Sequence, residues 1–171
     1  MRKKINKVLC AIDLENIRTN MPLPEKFSMT AGLDRIMRQI AEDVGEIINV
    51  FVFAPPHLAS INAQAFYEEG FYTIYCPKID DKKGQEEDTV DETMSAFLKD
   101  MVLQIPDITH VCIGSGDKDF CQMIRKFILR KGLKIIIVAG DMASLSSELI
   151  KLADKNLDGK KMIYLFSPAE D

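Results

Sequence analysis

The chain alternates between short, unbroken apolar runs and longer segments whose apolar residues recur every three or four positions. The unbroken runs are bounded by polar residues, glycine or proline, which is typical of strands buried on both faces of a sheet. They are Lys7–Ile12, Ile47–Phe53, Phe71–Tyr75, Thr109–Ile113, Leu133–Val138 and Met162–Phe166. The segments between them have the spacing of amphipathic helices. Strands alternating with helices predict an α/β fold, a three-layer sandwich around a mostly parallel sheet of five or six strands.

Glycine and proline also predict where the loops lie. Asp13–Asn16 ends the first strand, and Pro22 and Pro24 then predict a loop. Residues 78–87 form the most polar stretch of the chain, and we expect a mobile loop there. We find no internal repeat and no sign of a second unit, so the pattern predicts a single domain over residues 1–171.

The composition is ordinary and argues against several classes of function. Of the 171 residues, 47% are hydrophobic and 28% are charged, and no apolar run approaches the roughly 18 residues of a membrane span. The four cysteines form no C-x-x-C pair and have no histidine at a familiar spacing, which argues against a thiolate zinc site. Without an export signal or a disulfide framework, the cytoplasm is the expected compartment. A net charge of −4 argues against binding nucleic acid by bulk electrostatics alone.

An acidic residue stands directly after the first predicted strand. Asp13 follows the apolar run, and Asn16 comes three positions later. In an open parallel sheet the ligand crevice lies at the carboxyl ends of the strands, so both side chains are candidates for a site. Both also have a purely structural explanation, since Asp and Asn are common in turns. The sequence leaves the two explanations open at this strand.

Two further acids follow the fourth predicted strand. Asp117 and Asp119 come directly after Gly114-Ser115-Gly116, where the apolar run stops and a helical pattern begins. Either acid alone would suit the start of a helix. Together, after a glycine-rich turn, they favour a divalent metal site. Ser115 is then a candidate for contacting a phosphate or ordering a metal-bound water.

The third predicted helix, over residues 88–102, offers two more carboxylates. On a helical wheel, Asp91 lies about 75° from the centre of the apolar stripe, and Asp88 lies about 135° from it. Asp91 therefore falls at the border between the core and the crevice. Asp88 is expected to face solvent and to cap the helix.

Carboxylates at these positions point to a definite chemistry. Mg²⁺ and Mn²⁺ are hard ions that prefer oxygen ligands, and acids from different strand ends can hold one or two of them. Such a metal lowers the pKa of a bound water and stabilises charge on phosphate oxygens, so the chain need not supply a nucleophile. Arg18, Lys82 and Lys83, with Lys78, are candidates for contacting substrate phosphates, although an ordinary solvated charged surface is the stronger explanation for them.

At this point the sequence resembles the NYN family of PIN-like ribonucleases. The resemblance spans about residues 7–165, and its most specific segment is Gly114–Phe120. Two other matching segments are Ala11–Asn16 and Thr89–Met94, and the later segments Lys134–Gly140, Ser147–Leu149 and Ala153-Asp154 also look alike. In the middle segment, the family's motif often begins with Lys-Gly before Val-Asp, whereas here Asp88-Thr89 precedes Val90.

The resemblance implies a PIN-like α/β sandwich that binds Mg²⁺ or Mn²⁺ and hydrolyses single-stranded RNA. Carried over by motif, the acidic, catalytic and metal-binding centre is Asp13, Asp91, Asp117 and Asp119, supported by Asn16 and Ser115. RNA is then the expected partner, no membrane is expected, and a homo-oligomer is left open.

Two alternatives remain at this stage. The same fold serves as an RNA-binding or regulatory module without turnover, because a fold does not fix a function. A phosphatase resembling the haloacid dehalogenase type would use Asp13 as its nucleophile. That class calls for a second aspartate two residues on, where this chain has Glu15.

Overall fold

The computed structural model of the chain describes residues 5–21, 29–153 and 162–166, and its strands and helices alternate as the sequence predicts. The strands are β1 Lys7–Asp13, β2 Glu46–Ala54, β3 Tyr72–Tyr75, β4 Ile79–Asp80, β5 Glu86–Glu87, β6 His110–Gly114, β7 Lys134–Ala139 and β8 Ile163–Leu165. The helices are α1 Leu14–Thr19, α2 Met29–Asp43, α3 Pro56–Glu68, α4 Val90–Gln104, α5 over residues 118–131, and α6 Ser147–Ala153.

Six of the strands form one sheet in the order β3-β2-β1-β6-β7-β8, and every neighbouring pair in it is parallel. The predicted α/β class with a six-stranded parallel sheet is therefore confirmed. The middle of the sheet is the most deeply buried part, since every residue of β6 is buried and so is all of β1 except Lys7. That burial explains why these strands read as continuous apolar runs.

The helices cover both faces of the sheet and divide the core into two clusters. Because successive side chains of a strand point to opposite faces, Leu9 and Ala11 belong to one cluster, and Cys10 and Ile12 belong to the other. The first cluster packs under α4, α5 and α6, and the second packs under α1, α2 and α3. This is the predicted three-layer sandwich.

One short helix was not predicted, and one loop prediction was wrong. The segment after β1 is the short helix α1, because Asp13 accepts a hydrogen bond from the Asn16 N–H and Leu14 and Ile17 bury one helical face. The polar stretch 78–87 is an antiparallel hairpin of β4 and β5, whose turn is closed by hydrogen bonds to the Asp81 side chain. The prolines Pro22 and Pro24, predicted to mark a loop, lie outside the described residues.

The helix after the acidic turn is irregular. It begins as a 3₁₀ turn at Lys118–Phe120, continues through an α-turn at Cys121–Met123 and a π-turn at Ile124–Ile128, and ends as a 3₁₀ turn at Leu129–Lys131. Gly132 ends it with a φ of 74°, a left-handed conformation that suits glycine.

Among the described residues, no helix is both long enough and apolar enough to cross a membrane.

Candidate active site

The sheet changes direction between β1 and β6, and the candidate site lies there. From β1 the chain proceeds outward to β2 and β3, whereas from β6 it proceeds the other way to β7 and β8. The two central strands pair from Val8–His110 to Ile12–Gly114, so their carboxyl ends lie side by side. Helices leave these two ends on opposite faces of the sheet, which opens a crevice. Asp13 ends one strand, and the glycine turn follows the other.

Glycine is required in that turn because neighbouring backbone comes very close. A Cβ on Gly116 would lie 2.5 Å from the carbonyl oxygen of Ser144, and a Cβ on Gly114 would lie 3.0 Å from the Cα of Ile12. The Gly116 N–H donates to Asn16 Oδ1 at 3.0 Å, and its carbonyl accepts from the Ser146 N–H at 3.0 Å. The turn is thus held between α1 and the segment that precedes α6.

The residues that follow form a chain of local hydrogen bonds. Ser115 is fully buried, and its Oγ accepts from the Asp117 N–H at 3.1 Å. Asp117 Oδ1 accepts in turn from the Asp119 N–H at 3.0 Å and caps α5. Ser115 therefore stabilises the turn through its buried hydroxyl, while the carboxylates of Asp117 and Asp119 lie at the crevice.

Three of the predicted acids meet at this point. Oxygen atoms of Asp91, Asp117 and Asp119 all lie within 4.8 Å of one another. Asp91 belongs to the first turn of α4, which crosses the sheet from β3 to β6 and packs on β1 and β2. Asp91 and Asp117 are half-buried, and Asp119 is exposed. The close group thus joins a helix start and a strand end that are far apart in sequence.

Asp13 is not a member of that close group, but it faces the same crevice. Its side chain is 6% exposed, and its Oδ1 accepts from the Asn16 N–H at 3.0 Å. Its pKa is raised to about 7, first by burial and then by the charges of Asp91, Asp88 and Glu15, against the lowering effect of that hydrogen bond. Asp13 therefore caps α1, which is the structural explanation, and its carboxylate also lies near the other acids.

The carboxyl group of Asp91 is also destabilised in its charged form by burial and by neighbouring acids. Its pKa is raised to about 6, first by burial and then by the charges of Asp117, Asp119 and Asp88. Crowded carboxylates of this kind are relieved by a proton or by a cation. Hard oxygen donors at this spacing fit Mg²⁺ or Mn²⁺, and Asp91, Asp117 and Asp119 are the residues that could hold such an ion.

The predicted substrate-binding residues fall into two groups. Asn16 is engaged with the glycine turn, as described above, whereas Arg18 is exposed on α1. Lys82 and Lys83 are exposed in the turn between β4 and β5, and Lys78 pairs with Glu86 across that hairpin at 3.9 Å. A hydrogen bond of 2.6 Å from Thr89 Oγ1 to the Pro77 carbonyl closes the base of the hairpin beside the start of α4.

Sequence reasoning missed the contributions of Asp88 and Asp141. Asp88 is exposed as predicted, but Thr89 rather than Asp88 is the N-cap of α4, and Asp88 accepts from the Val90 N–H at 2.9 Å from the position before the cap. The charge of Asp88 also raises the pKa of both Asp13 and Asp91. Asp141 accepts from the Ser144 N–H at 2.8 Å and so shapes the segment that packs on Gly116. The signal for Asp141 was its position directly after a glycine at a strand end, as in Gly116-Asp117.

The fold is similar to that of a protein of unknown function from Vibrio parahaemolyticus, with a TM-score of 0.71 at 18% sequence identity. That match covers 96% of this chain and 94% of the other. A second match, to UGT89C1 of Arabidopsis thaliana complexed with UDP, has a TM-score of 0.43 at 13% identity and covers 92% of this chain and 40% of that one. A search of curated proteins found no matching sequence.

The family comparison covers nearly the whole chain. Residues 7–160 match the model of the NYN domain, a range that includes the glycine turn and all four predicted acids. The resemblance first drawn from three short motifs is therefore confirmed, and the chain belongs to the NYN domain family.

Proposed function

We propose that this protein is a metal-dependent ribonuclease that hydrolyses phosphodiester bonds of single-stranded RNA. The observation that carries the proposal is that oxygen atoms of Asp91, Asp117 and Asp119 lie within 4.8 Å of one another. They lie where the strand order of this NYN-family sheet reverses, between β1 and β6. Asp13 completes the acidic centre from the end of β1. The proposed cofactor is Mg²⁺ or Mn²⁺.

The chain's own residues would prepare this centre in three ways. Asp91, Asp117 and Asp119 would hold the ion directly or through its waters. Asn16 fixes the glycine turn, and with it the position of Asp117. A bound cation would favour the charged forms of Asp13 and Asp91, whose pKa values are raised to about 7 and about 6, so that any proton on them would be released to solvent. When bound, the metal supplies an activated water and neutralises charge on the phosphate.

Cysteine chemistry is a poor explanation of the same crevice. Burial raises the pKa of the Cys76 thiol to about 11 and raises that of the Cys121 thiol above its ordinary value. The thiolate is the nucleophilic form of cysteine, so neither side chain is activated. Carboxylate-bound metal is the chemistry that the residues favour.

The decisive experiment is the Asp117→Asn variant. Asparagine still caps a helix and accepts a hydrogen bond from the Asp119 N–H, so the fold should survive. Loss of one carboxylate charge from the centre should reduce cleavage of labelled single-stranded RNA in Mn²⁺ by about 100-fold or more. Chelator should abolish cleavage by the parent protein. The matched control is Asp100→Asn, which removes an exposed carboxylate on α4 and should cleave like the parent.

Normal cleavage by Asp117→Asn would refute the proposal. The alternative, a non-catalytic RNA-binding module, predicts instead that the parent protein retains RNA and does not cleave it with either ion. The chain's departure from the family's middle motif, at Asp88-Thr89, is the feature that favours this alternative.

A further inference from the structure

One segment of this acidic chain is strongly basic. Residues 118–131, which form α5, hold five of the 22 Lys and Arg residues and one of the 26 Asp and Glu residues. The basic residues are Lys118, Arg125, Lys126, Arg130 and Lys131, and all five are exposed. This concentration of positive charge begins inside the acidic centre itself, since Lys118 stands between Asp117 and Asp119.

Part of this positive charge lies on the exposed side of α5. Residues at every third or fourth position there are Asp119, Gln122, Lys126 and Arg130, and we call these four residues the stripe. All four are exposed, while Phe120, Ile124 and Ile128 are fully buried. Asp119 belongs to the close acidic group, so the stripe starts at the candidate metal centre.

Among the described residues, the positive charges on this stripe are not paired with acids. Within the part of the chain that the structure describes, Arg125 is the α5 residue that pairs with an acid, at 3.0 Å from Glu148. The Lys131 ammonium lies 5.2 Å from the centre of the Phe127 ring. Lys126 and Arg130 have no acidic partner there, so they are available to a polyanion.

The hairpin of β4 and β5, on the opposite side of the site, carries more negative than positive charge. Between residues 78 and 88, the hairpin and its exit carry more acids than bases, and Glu86 already occupies Lys78. A nucleic-acid backbone at the acidic centre is therefore repelled on the hairpin side and attracted on the α5 side. This difference in charge would direct the RNA backbone from the acidic centre along α5 and away from the hairpin.

We propose that the outward stripe of α5 binds the sugar-phosphate backbone of single-stranded RNA on one side of the scissile bond, chiefly through Lys126 and Arg130. This inference rests on the proposed function for the identity of the ligand. It adds a binding surface to the acidic centre and predicts that affinity depends on salt through these residues.

The test measures binding of labelled single-stranded RNA with cleavage switched off. In the Asp117→Asn background, Lys126→Glu and Arg130→Glu should each weaken affinity about three- to tenfold at roughly 0.1 M salt. Each should also reduce the salt slope by about one. Arg38→Glu is the matched control, because Arg38 is an exposed arginine on α2, in the helical layer on the other face of the sheet. It should leave both quantities unchanged.

A second readout uses the intact centre. With Asp117 present, Lys126→Glu should raise KM for RNA and leave kcat unchanged at saturating RNA. Unfolding curves that match the parent would show that the surface change has not altered the fold.

The outcomes separate this inference from the proposed nuclease activity. Parent-like affinity and salt slope in both α5 variants, or an equal loss in Arg38→Glu, would overturn the α5 surface even if the parent cleaves RNA. A selective loss in the α5 variants with no cleavage by the parent would uphold the surface and refute the nuclease.

Discussion

At the scale of single residues, Asp13 combines two demands that usually fall on different side chains. It caps α1 through the Asn16 N–H, which any Asp or Asn could do, and it buries a carboxylate beside other acids, which costs stability. The raised pKa reports that cost. Because the cap does not need the charge, the two roles can be separated by substitution.

We predict that Asp13→Asn stabilises the metal-free protein above neutral pH. Between about pH 4 and pH 7 the folded state holds a proton on Asp13 that the unfolded state has released, so stability falls as pH rises through this window. Asparagine avoids this loss and keeps the cap. The free energy of unfolding at pH 8 should therefore rise by about 1–3 kcal/mol, and the gain should fade towards pH 4.

Urea unfolding in chelator at several pH values checks this prediction, with Asp100→Asn as an exposed control. An Asp13→Asn variant that is less stable than the parent at pH 8 would show that the buried carboxylate is not under electrostatic stress.

The sequence predicted which acids lie close together better than it predicted their electrostatic effects. The helical wheel separated half-buried Asp91 from exposed Asp88, because both positions follow from helical geometry alone. It did not reveal that the Asp88 charge acts on Asp13 and Asp91, since that depends on how α4 packs over β1. The involvement of Ser115 and Asn16 in holding the turn likewise depends on contacts between distant segments.

At the scale of elements, the glycine turn depends on α1. The Asn16 side chain reaches across the crevice to the Gly116 N–H, and the Ser144 backbone closes the other side. The position of Asp117 is therefore set by three segments rather than by its own loop.

We predict that Asn16→Ala weakens both stability and catalysis. It leaves the buried Gly116 N–H without its acceptor, which should reduce the free energy of unfolding by about 1–3 kcal/mol. The freed turn should also lower kcat for RNA cleavage, because Asp117 is no longer held in place. Urea unfolding and cleavage rates measure the two effects.

Asn62→Ala is the matched control for this variant. The Asn62 side chain likewise hydrogen-bonds a backbone group, but as a donor to the Leu58 carbonyl, within α3 and away from the crevice. Its removal should leave cleavage unchanged. Equal activity in Asn16→Ala and the parent would show that the cross-crevice hydrogen bond does not position the acids.

Periodicity located the long elements and failed on the short ones. Helix α1 has six residues and the hairpin strands have two each, so these elements are too short to show a recognisable hydrophobic period. Both are set by side-chain hydrogen bonds, from Asp13 in one case and Asp81 in the other. The change of helix type along α5 could not be predicted either, because the analysis of apolar spacing assumes a single helical period.

At the scale of the whole molecule, the proposed binding of a metal to the acidic crevice would raise the stability of the fold. An ion that binds only the folded state raises stability by about 2.7 kcal/mol at 100 times its Kd. We predict that Mn²⁺ raises Tm by about 5–10 °C at pH 7.5 relative to chelator. At pH 5.5 the shift should shrink, because protons then occupy Asp13 and Asp91 in the folded protein.

Thermal unfolding with and without Mn²⁺ at the two pH values checks this prediction. Asp117→Asn should lose most of the shift, whereas Asp100→Asn should keep it. A shift of equal size in Asp117→Asn would place the ion elsewhere on the protein.

Strand order was the main feature of the whole fold that the sequence left open. Apolar runs identify strands but do not say which strands are neighbours, because buried central strands such as β1 and β6 have the same pattern. The reversal between them is what brings Asp13 beside the Gly116 turn. The family motifs predicted these residues to belong to one site, but the geometry required the completed sheet.

The pairing of β1 with β6 has a consequence for biosynthesis. Val8 and His110 are partners in adjacent strands, although about a hundred residues separate them along the chain. A ribosome adding about 5–20 residues per second completes β1 several seconds before its neighbour emerges. A nascent polypeptide therefore cannot assemble the acidic crevice early, and any nuclease activity must await nearly the full length of the domain.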